Sequence, residues 1–276
     1  MSFTQRLDAA VAAHGSLLCV GLDPDPERIP AHLGTGAAAV VAFNRAIVEA
    51  TVDLACAYKP NLGFYLAYGP AGIEALAETR RLIPPQVPVI LDAKVGDIAS
   101  TAAAYARGYF DALGFDAVTA HPYLGADSLE PFLGYADRAV FVLAKTSNPG
   151  SGDLQDLDVD EAGGAEPLYL RVAERVAGWQ RRFGTCGLVV GATYPRQLAE
   201  IRARCPELPI LVPGVGAQQG DLEATVRAGL DARGAGLLIN ASRGITYAGS
   251  GGDFAAAARD AARALRDRIN AARVIG

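Results

Sequence analysis

A single-domain (β/α)8 barrel of the α/β class is the fold that this 276-residue chain predicts, and three observations point to it. Short apolar runs alternate with longer helical patterns from one end of the chain to the other. The runs are rich in Val, Leu and Ile and lack polar alternation, as parallel strands buried on both faces do. There are eight of them, the number that closes such a barrel. A doubly wound sheet is the alternative. The length alone would also allow two domains, but no composition shift marks a linker, so residues 1–276 are read as one unit.

The N-terminal MSFTQRLDAAVAAHG lacks the long apolar stretch of a signal peptide. SLLCVGL (16–22) is the first strand, and GLDPD (21–25) is its turn-prone exit. A helix follows over about 37–53, with Val40, Val41, Ile47, Val48 and Val52 as its apolar positions. ACAYKP (55–60), VPVILDAK (87–94), DAVTAH (116–121) and AVFVLAK (139–145) are strands two to five. The polar, Gly-rich segment 147–165 is the one long connection, a length typical of functional covers or mobile loops. The next helix spans about 166–182, with Pro167 near its first turn. CGLVVGA (186–192), PILVPG (209–214) and GLLINAS (236–242) complete the strands. A last helix, about 253–272, puts Phe254, Ala258, Ala261, Leu265 and Ile269 on one stripe opposite Arg and Asp.

Composition narrows the function. A net charge of −5 argues against nucleic-acid binding through a basic face. One anionic small ligand needs only a few placed cations. Cys19, Cys56, Cys186 and Cys205 form no CxxC pair; three of them sit inside apolar runs and read as small buried hydrophobes, which fits a reducing compartment. No run approaches the ~18 apolar residues of a membrane span, so a cytoplasmic protein without membrane contact is expected.

Lysine is the rare residue. Of 25 Lys and Arg, only Lys59, Lys94 and Lys145 are Lys, which leaves 22 Arg. Each of the three falls within a few residues of the end of a strand run. Arg serves as a solvated cation, whereas Lys can be tuned to give up and retake a proton. Barrel active sites lie at the C-terminal strand ends, which here also carry Asp23, Asp92, His121 and Arg243. Arg-rich codon usage with three chance survivors is the bland alternative.

The densest cluster is LDAKVGDIAST (91–101). Strand alternation sends Asp92 and Lys94 to the same side, as an oriented acid–amine pair or as a structural ion pair at the rim. Asp97 and Thr101 follow where the next helix begins, and Asp97 reads equally as its N-cap. PGVGAQQGD (213–221) and NASRGI (240–245) follow strands seven and eight, where barrels often grip phosphate, and Arg243 supplies a bidentate cation. Asp23 either binds a sugar hydroxyl or caps a turn. Lys59 has Asn61 beside it, and Ser147 and Asn148 are placed to bond a polar heterocycle. His121 receives no role, and Lys145 fits a supporting one. GxSxG, HExxH, zinc-spaced Cys/His and Rossmann motifs are missing.

Taken in order, GLDPD, YKPN, LDAKVGDIAST, KTSNPGS, PGVGAQ and SRGI resemble orotidine 5′-monophosphate decarboxylases over residues ~16–247. The KTSNPGSGDLQDL loop and ATYP (192–195) resemble the type 2 branch common in bacteria. Val95 departs from the Arg of many type 2 sequences and is expected to face away from the charged residues. The resemblance implies conversion of orotidine 5′-monophosphate to uridine 5′-monophosphate and CO2 without cofactor or metal, by a homodimer. It implies that Lys94, held by Asp92, stabilises and protonates the C6 carbanion, and that Asp97 and Thr101 reach into the neighbouring subunit's site. Lys59 and Asp23 would hold the ribose, Ser147 the pyrimidine amide edge, and Gln218 and Arg243 the phosphate. A Mg2+-dependent sugar-phosphate enzyme, a Schiff-base aldolase and a non-catalytic phosphate binder are the competing readings.

Overall fold

The computed structural model describes residues 1–161, 164–215 and 221–274. Ten strands occur among them: β1 Leu18–Leu22, β2 Ala57–Pro60, β3 Ile90–Val95, β4 Ala117–Ala120, β5 Ala139–Lys145, β6 Asp158–Glu161, β7 Gly164–Pro167, β8 Cys186–Val190, β9 Ile210–Val212 and β10 Leu237–Ala241. Eight form one parallel sheet in the order β2-β1-β10-β9-β8-β5-β4-β3. Backbone bridges Tyr58–Val89 and Asn61–Asp92 join its two ends. That closure makes a (β/α)8 barrel and rules out a doubly wound sheet. All eight expected strands are present, most of them shortened at the ends.

The helices among the described residues are α1 Phe3–His14, α2 Gly36–Thr51, α3 Leu62–Leu66, α4 Pro70–Leu82, α5 Ala99–Ala106, α6 Ala126–Leu133, α7 Gly152–Gln155, α8 Leu168–Phe183, α9 Pro195–Arg204, α10 Leu222–Gly229, α11 Arg243–Thr246 and α12 Phe254–Val274. The main apolar core lies between sheet and helices and includes Val40, Ile47, Val118, Val140, Leu188, Ile239 and Ile269. A second cluster fills the barrel interior, where Cys19, Ile90, Ala117, Phe141, Val189, Leu211 and Leu238 point inward from their strands.

Helix α1 was not among the expected elements. It begins with a capping box between Ser2 and Gln5. Phe3 and Leu7, one helical turn apart, join the interior cluster, and Phe3 meets the Phe141 ring edge-on at 5.6 Å between centroids. The helix therefore stoppers the barrel floor. The long connection after β5 also has structure: α7 and then the antiparallel β6–β7 hairpin, which leads directly into α8. Pro167 caps that helix rather than lying inside it. All four cysteines are buried and unpaired. Among the described residues no helix is long and apolar enough to cross a membrane.

Candidate active site

A cavity of about 410 Å3 opens at the C-terminal mouth of the barrel, lined by Lys59, Asp92, Lys94, Thr119, Leu143, Thr146, Ser147, Asn148, Gln155, Val189, Leu211 and Pro213. Asp92 is its electrostatic centre. Lys59 Nζ donates to Asp92 Oδ2 at 2.9 Å and Lys94 Nζ to Oδ1 at 2.6 Å. Asn61 Nδ2 donates to Oδ2 at 3.3 Å and Thr119 Oγ1 to Oδ1 at 2.9 Å. Each carboxylate oxygen thus accepts one ammonium and one neutral donor. Burial alone would push the Asp92 carboxyl up, but the charges and hydrogen bonds of Lys59 and Lys94 outweigh it and hold the group well below the carboxylate range. Burial likewise opposes a charged Lys59, yet Asp92 and Asp23 outweigh it and raise its pKa.

The two lysines differ in exposure. The Lys59 side chain is 4% exposed, whereas that of Lys94 is 50% exposed and faces the cavity. Simple strand alternation does not explain how Lys94 reaches Asp92. The β3–β4 register shifts between Leu91 and Val95, and Lys94 sits in the left-handed region at φ 49°, an uncommon conformation for a side chain of this size. Such a bulge re-aims a side chain. The Lys94 N–H donates to Thr119 Oγ1 at 2.9 Å, so one hydroxyl holds both the bulged backbone and the carboxylate. Val95, at 7% exposure, points into the main core and away from the charges, as expected.

The segment after the bulge is tightly built. A Cβ on Gly96 would lie 2.0 Å from His121 Nε2, so only glycine lets the imidazole pack there. His121 lies outside the cavity lining, and its N–H donates to Val95 O at 3.1 Å. Asp97 is not the α5 N-cap, because Ile98 holds that position. Instead Asp97 Oδ1 accepts the Ile98 N–H at 2.8 Å. Within one chain neither Asp97 nor Thr101 lines the cavity. Thr101 is exposed on α5 near the exposed apolar Ile98 and Tyr105.

Asp23, just beyond β1, accepts the Asn61 N–H at 3.2 Å and lines a second pocket of about 150 Å3 with Gly214, Asn240, Ser242, Arg243 and Gly244. Arg243 opens α11 there and is exposed, and its guanidinium has no hydrogen-bonding partner among the described residues. Gln218 lies outside the described residues. Ser147 borders the opposite side of the main cavity. A Cβ on Gly191 would sit 2.7 Å from Ser147 Cβ, so that glycine admits the Ser147 segment against β8. Lys145 does not face this cavity. Its ammonium, 1% exposed, pairs with Asp156 at 2.7 Å and lies 4.6 Å from the Tyr194 ring centroid.

Lys59, Asp92, Lys94 and Ser147 therefore share one cavity, and Asp23 and Arg243 share the second pocket. Sequence reasoning missed Thr119 and Gln155. Thr119 carried a usable signal, a hydroxyl two residues after Ala117 on the inward side of an apolar strand. Gln155 carried none, because its place depends on how the long loop folds back.

The chain is similar to known proteins over most of its length. Residues 16–261 match the family described as Orotidine 5′-phosphate decarboxylase / HUMPS. An orotidine 5′-phosphate decarboxylase of Thermomicrobium roseum is 62% identical over 255 residues, covering 92% of this chain and 90% of its own. That of Roseiflexus castenholzii is 56% identical, covering 99% and 98%. The structure of Leishmania donovani OMP decarboxylase superposes with a TM-score of 0.87 at 47% identity, covering 99% of each chain. On the match over most of its length, this chain belongs to the orotidine 5′-phosphate decarboxylase family.

Proposed function

We propose that this protein converts orotidine 5′-monophosphate to uridine 5′-monophosphate and CO2, the last step of pyrimidine nucleotide synthesis, using side chains alone. The observation that carries this reading is Asp92 saturated between two ammonium groups, one buried and one facing the cavity. Breaking the C6–carboxylate bond leaves an electron pair in an sp2 orbital that the ring cannot delocalise. Lys94 places a cation there and then transfers an N–H proton to C6, becoming a neutral amine that solvent reprotonates. Arg would supply the charge but not the proton.

Lys59 and Asn61 hold Asp92 in place, so the carboxylate orients Lys94 instead of drifting toward solvent. With four protein donors on its two oxygens, Asp92 is poorly suited to serve as a Mg2+ ligand, which speaks against the metal-dependent sugar-phosphate reading. Asp23 and Lys59 take the ribose hydroxyls and Ser147 the pyrimidine amide edge. Arg243 and Gln218 take the phosphate, whose binding energy is remote from C6 and is available for closing the site. Asp97 and Thr101, unused by their own cavity, serve the neighbouring site of a homodimer, where Asp97 completes the charge network.

The test is a mixture of purified protein, orotidine 5′-monophosphate and EDTA, followed by loss of substrate ultraviolet absorbance. Rapid decay to uridine 5′-monophosphate is expected. A folded protein that leaves the substrate intact would overturn the proposal.

A further inference from the structure

The chain leaves the barrel at the end of β5 and returns toward it at the start of the β6–β7 hairpin. Two adjacent pairs close the neck of this excursion. On its cavity side, Gln155 Oε1 accepts the Thr146 N–H at 2.9 Å and Gln155 Nε2 donates to Thr146 Oγ1 at 2.8 Å. One residue along on both limbs, Lys145 Nζ donates to Asp156 Oδ1 at 2.7 Å and to Ser151 Oγ at 3.3 Å. That ammonium is almost fully buried and faces the Tyr194 ring.

We propose that Lys145 and Asp156 are positioning residues for recognition of the pyrimidine, an inference that rests on the functional reading above. Their ion pair fixes the neck of the loop, and through Gln155 and Thr146 it fixes Ser147, the next residue. Ser147 lies beyond the end of β5, its back packs closely on Gly191, and among the described residues its hydroxyl has no hydrogen-bonding partner to orient it. A buried lysine with a single carboxylate partner is an expensive way to tie a loop unless its position matters. The clasp lies on the base side of the cavity, and the pocket that holds Arg243 has a separate lining. A loosened clasp therefore affects the base and leaves the phosphate grip intact.

The test compares the affinities of uridine 5′-monophosphate and ribose 5-phosphate by calorimetry in wild type, Asp156→Ala, Asp156→Asn and Lys145→Met, with wild-type turnover measured alongside. Asp156→Ala should weaken uridine 5′-monophosphate at least tenfold and ribose 5-phosphate less than twofold. Asp156→Asn, which keeps a neutral acceptor for the ammonium, should recover most of the loss. Asp156→Ala leaves the buried Lys145 ammonium without its carboxylate, so the double variant Lys145→Met/Asp156→Ala, which removes both charges, is measured beside it and should show the same selective loss. Equal losses for both ligands, or no loss in Asp156→Ala, would overturn the clasp while leaving the reaction standing. Selective loss in a protein that fails to decarboxylate would support the clasp and overturn the reaction. Wild type that binds no uridine 5′-monophosphate would overturn both.

Discussion

Removing the three members of the Lys59–Asp92–Lys94 cluster one at a time should separate stability from catalysis in an order that their burial sets. Asp92→Ala strips both ammoniums of their carboxylate. Lys59, with its side chain 4% exposed, becomes a buried charge that has lost its hydrogen-bonded partner and keeps only the field of Asp23, which costs about 3–5 kcal/mol at most. Lys59→Met leaves Asp92 with Lys94, Thr119 and Asn61, so the loss is one charge-assisted hydrogen bond, about 1.5–3 kcal/mol. Lys94→Ala removes a half-exposed partner whose pairing is screened by solvent, about 1 kcal/mol or less. For a chain of this size each kcal/mol moves Tm by roughly 2–4 °C. Thermal unfolding followed by circular dichroism at fixed protein concentration should thus show the largest drop for Asp92→Ala and the smallest for Lys94→Ala. The sign of the pH dependence follows from the shifts. The Asp92 pKa is depressed on folding, so its contribution is complete above about pH 4 and is lost as pH falls through the lower native value. The Lys59 pKa is raised, so its contribution is complete below about pH 10 and fades only as pH rises further. The gap between wild type and Asp92→Ala should therefore be flat near neutrality and narrow in acid. A gap that widens on acidification, or a Lys94→Ala variant as unstable as Asp92→Ala, would refute the reasoning.

Lys94→Ala should abolish turnover while binding of orotidine 5′-monophosphate persists in a direct titration; near-normal activity would remove Lys94 from the chemistry. Arg243→Ala should weaken phosphate-bearing ligands roughly 10- to 150-fold, the equivalent of about 1.5–3 kcal/mol, and phosphate-free orotidine little. Inhibition constants for matched ligands measure the difference. Inactive Asp97→Ala and Lys94→Ala proteins, mixed and allowed to exchange subunits, should regain activity through hybrid sites. If exchange is confirmed and activity stays absent, Asp97 serves its own chain. Gly191→Ala would drive a methyl group into Ser147, so the KM of the variant should rise at least tenfold with a smaller change in kcat.

The barrel was legible because its eight strands are buried on both faces and carry uninterrupted apolar runs. Helix α1 was legible in principle, through the Ser2–Gln5 box and the Phe3–Leu7 spacing, but its four alanines blur the apolar stripe. The site residues at strand ends could be read one by one, since a charged or polar residue at an apolar run's end stands out. Their relations were harder. Asp92 and Lys94 do meet, but through a bulge and a left-handed residue that alternation does not encode. Asp97 looked like a cap, yet the cap falls one residue later, at Ile98, and the helix starts at Ala99. Lys145 shared its sequence context with Lys59 and Lys94 and still turns away from the cavity, because the register shift between Leu143 and Lys145 sends it toward Asp156. Bulges depend on pairing between distant strands, and a local sequence pattern does not record that pairing.

The stoppered floor has a consequence for proton traffic. Each conversion of carboxylate to C–H consumes one proton. Beneath Asp92 the interior is packed with Ile90, Phe141, Leu238 and the α1 residues Phe3 and Leu7, none of which carries protons. Cys19 belongs to the same cluster, and burial pushes its thiol up to about 12. On the mechanism proposed above, the Lys94 amine left after each turnover has no supply from below. Its proton must enter by the mouth through which the nucleotide leaves, so recharging the enzyme and releasing its product share one passage.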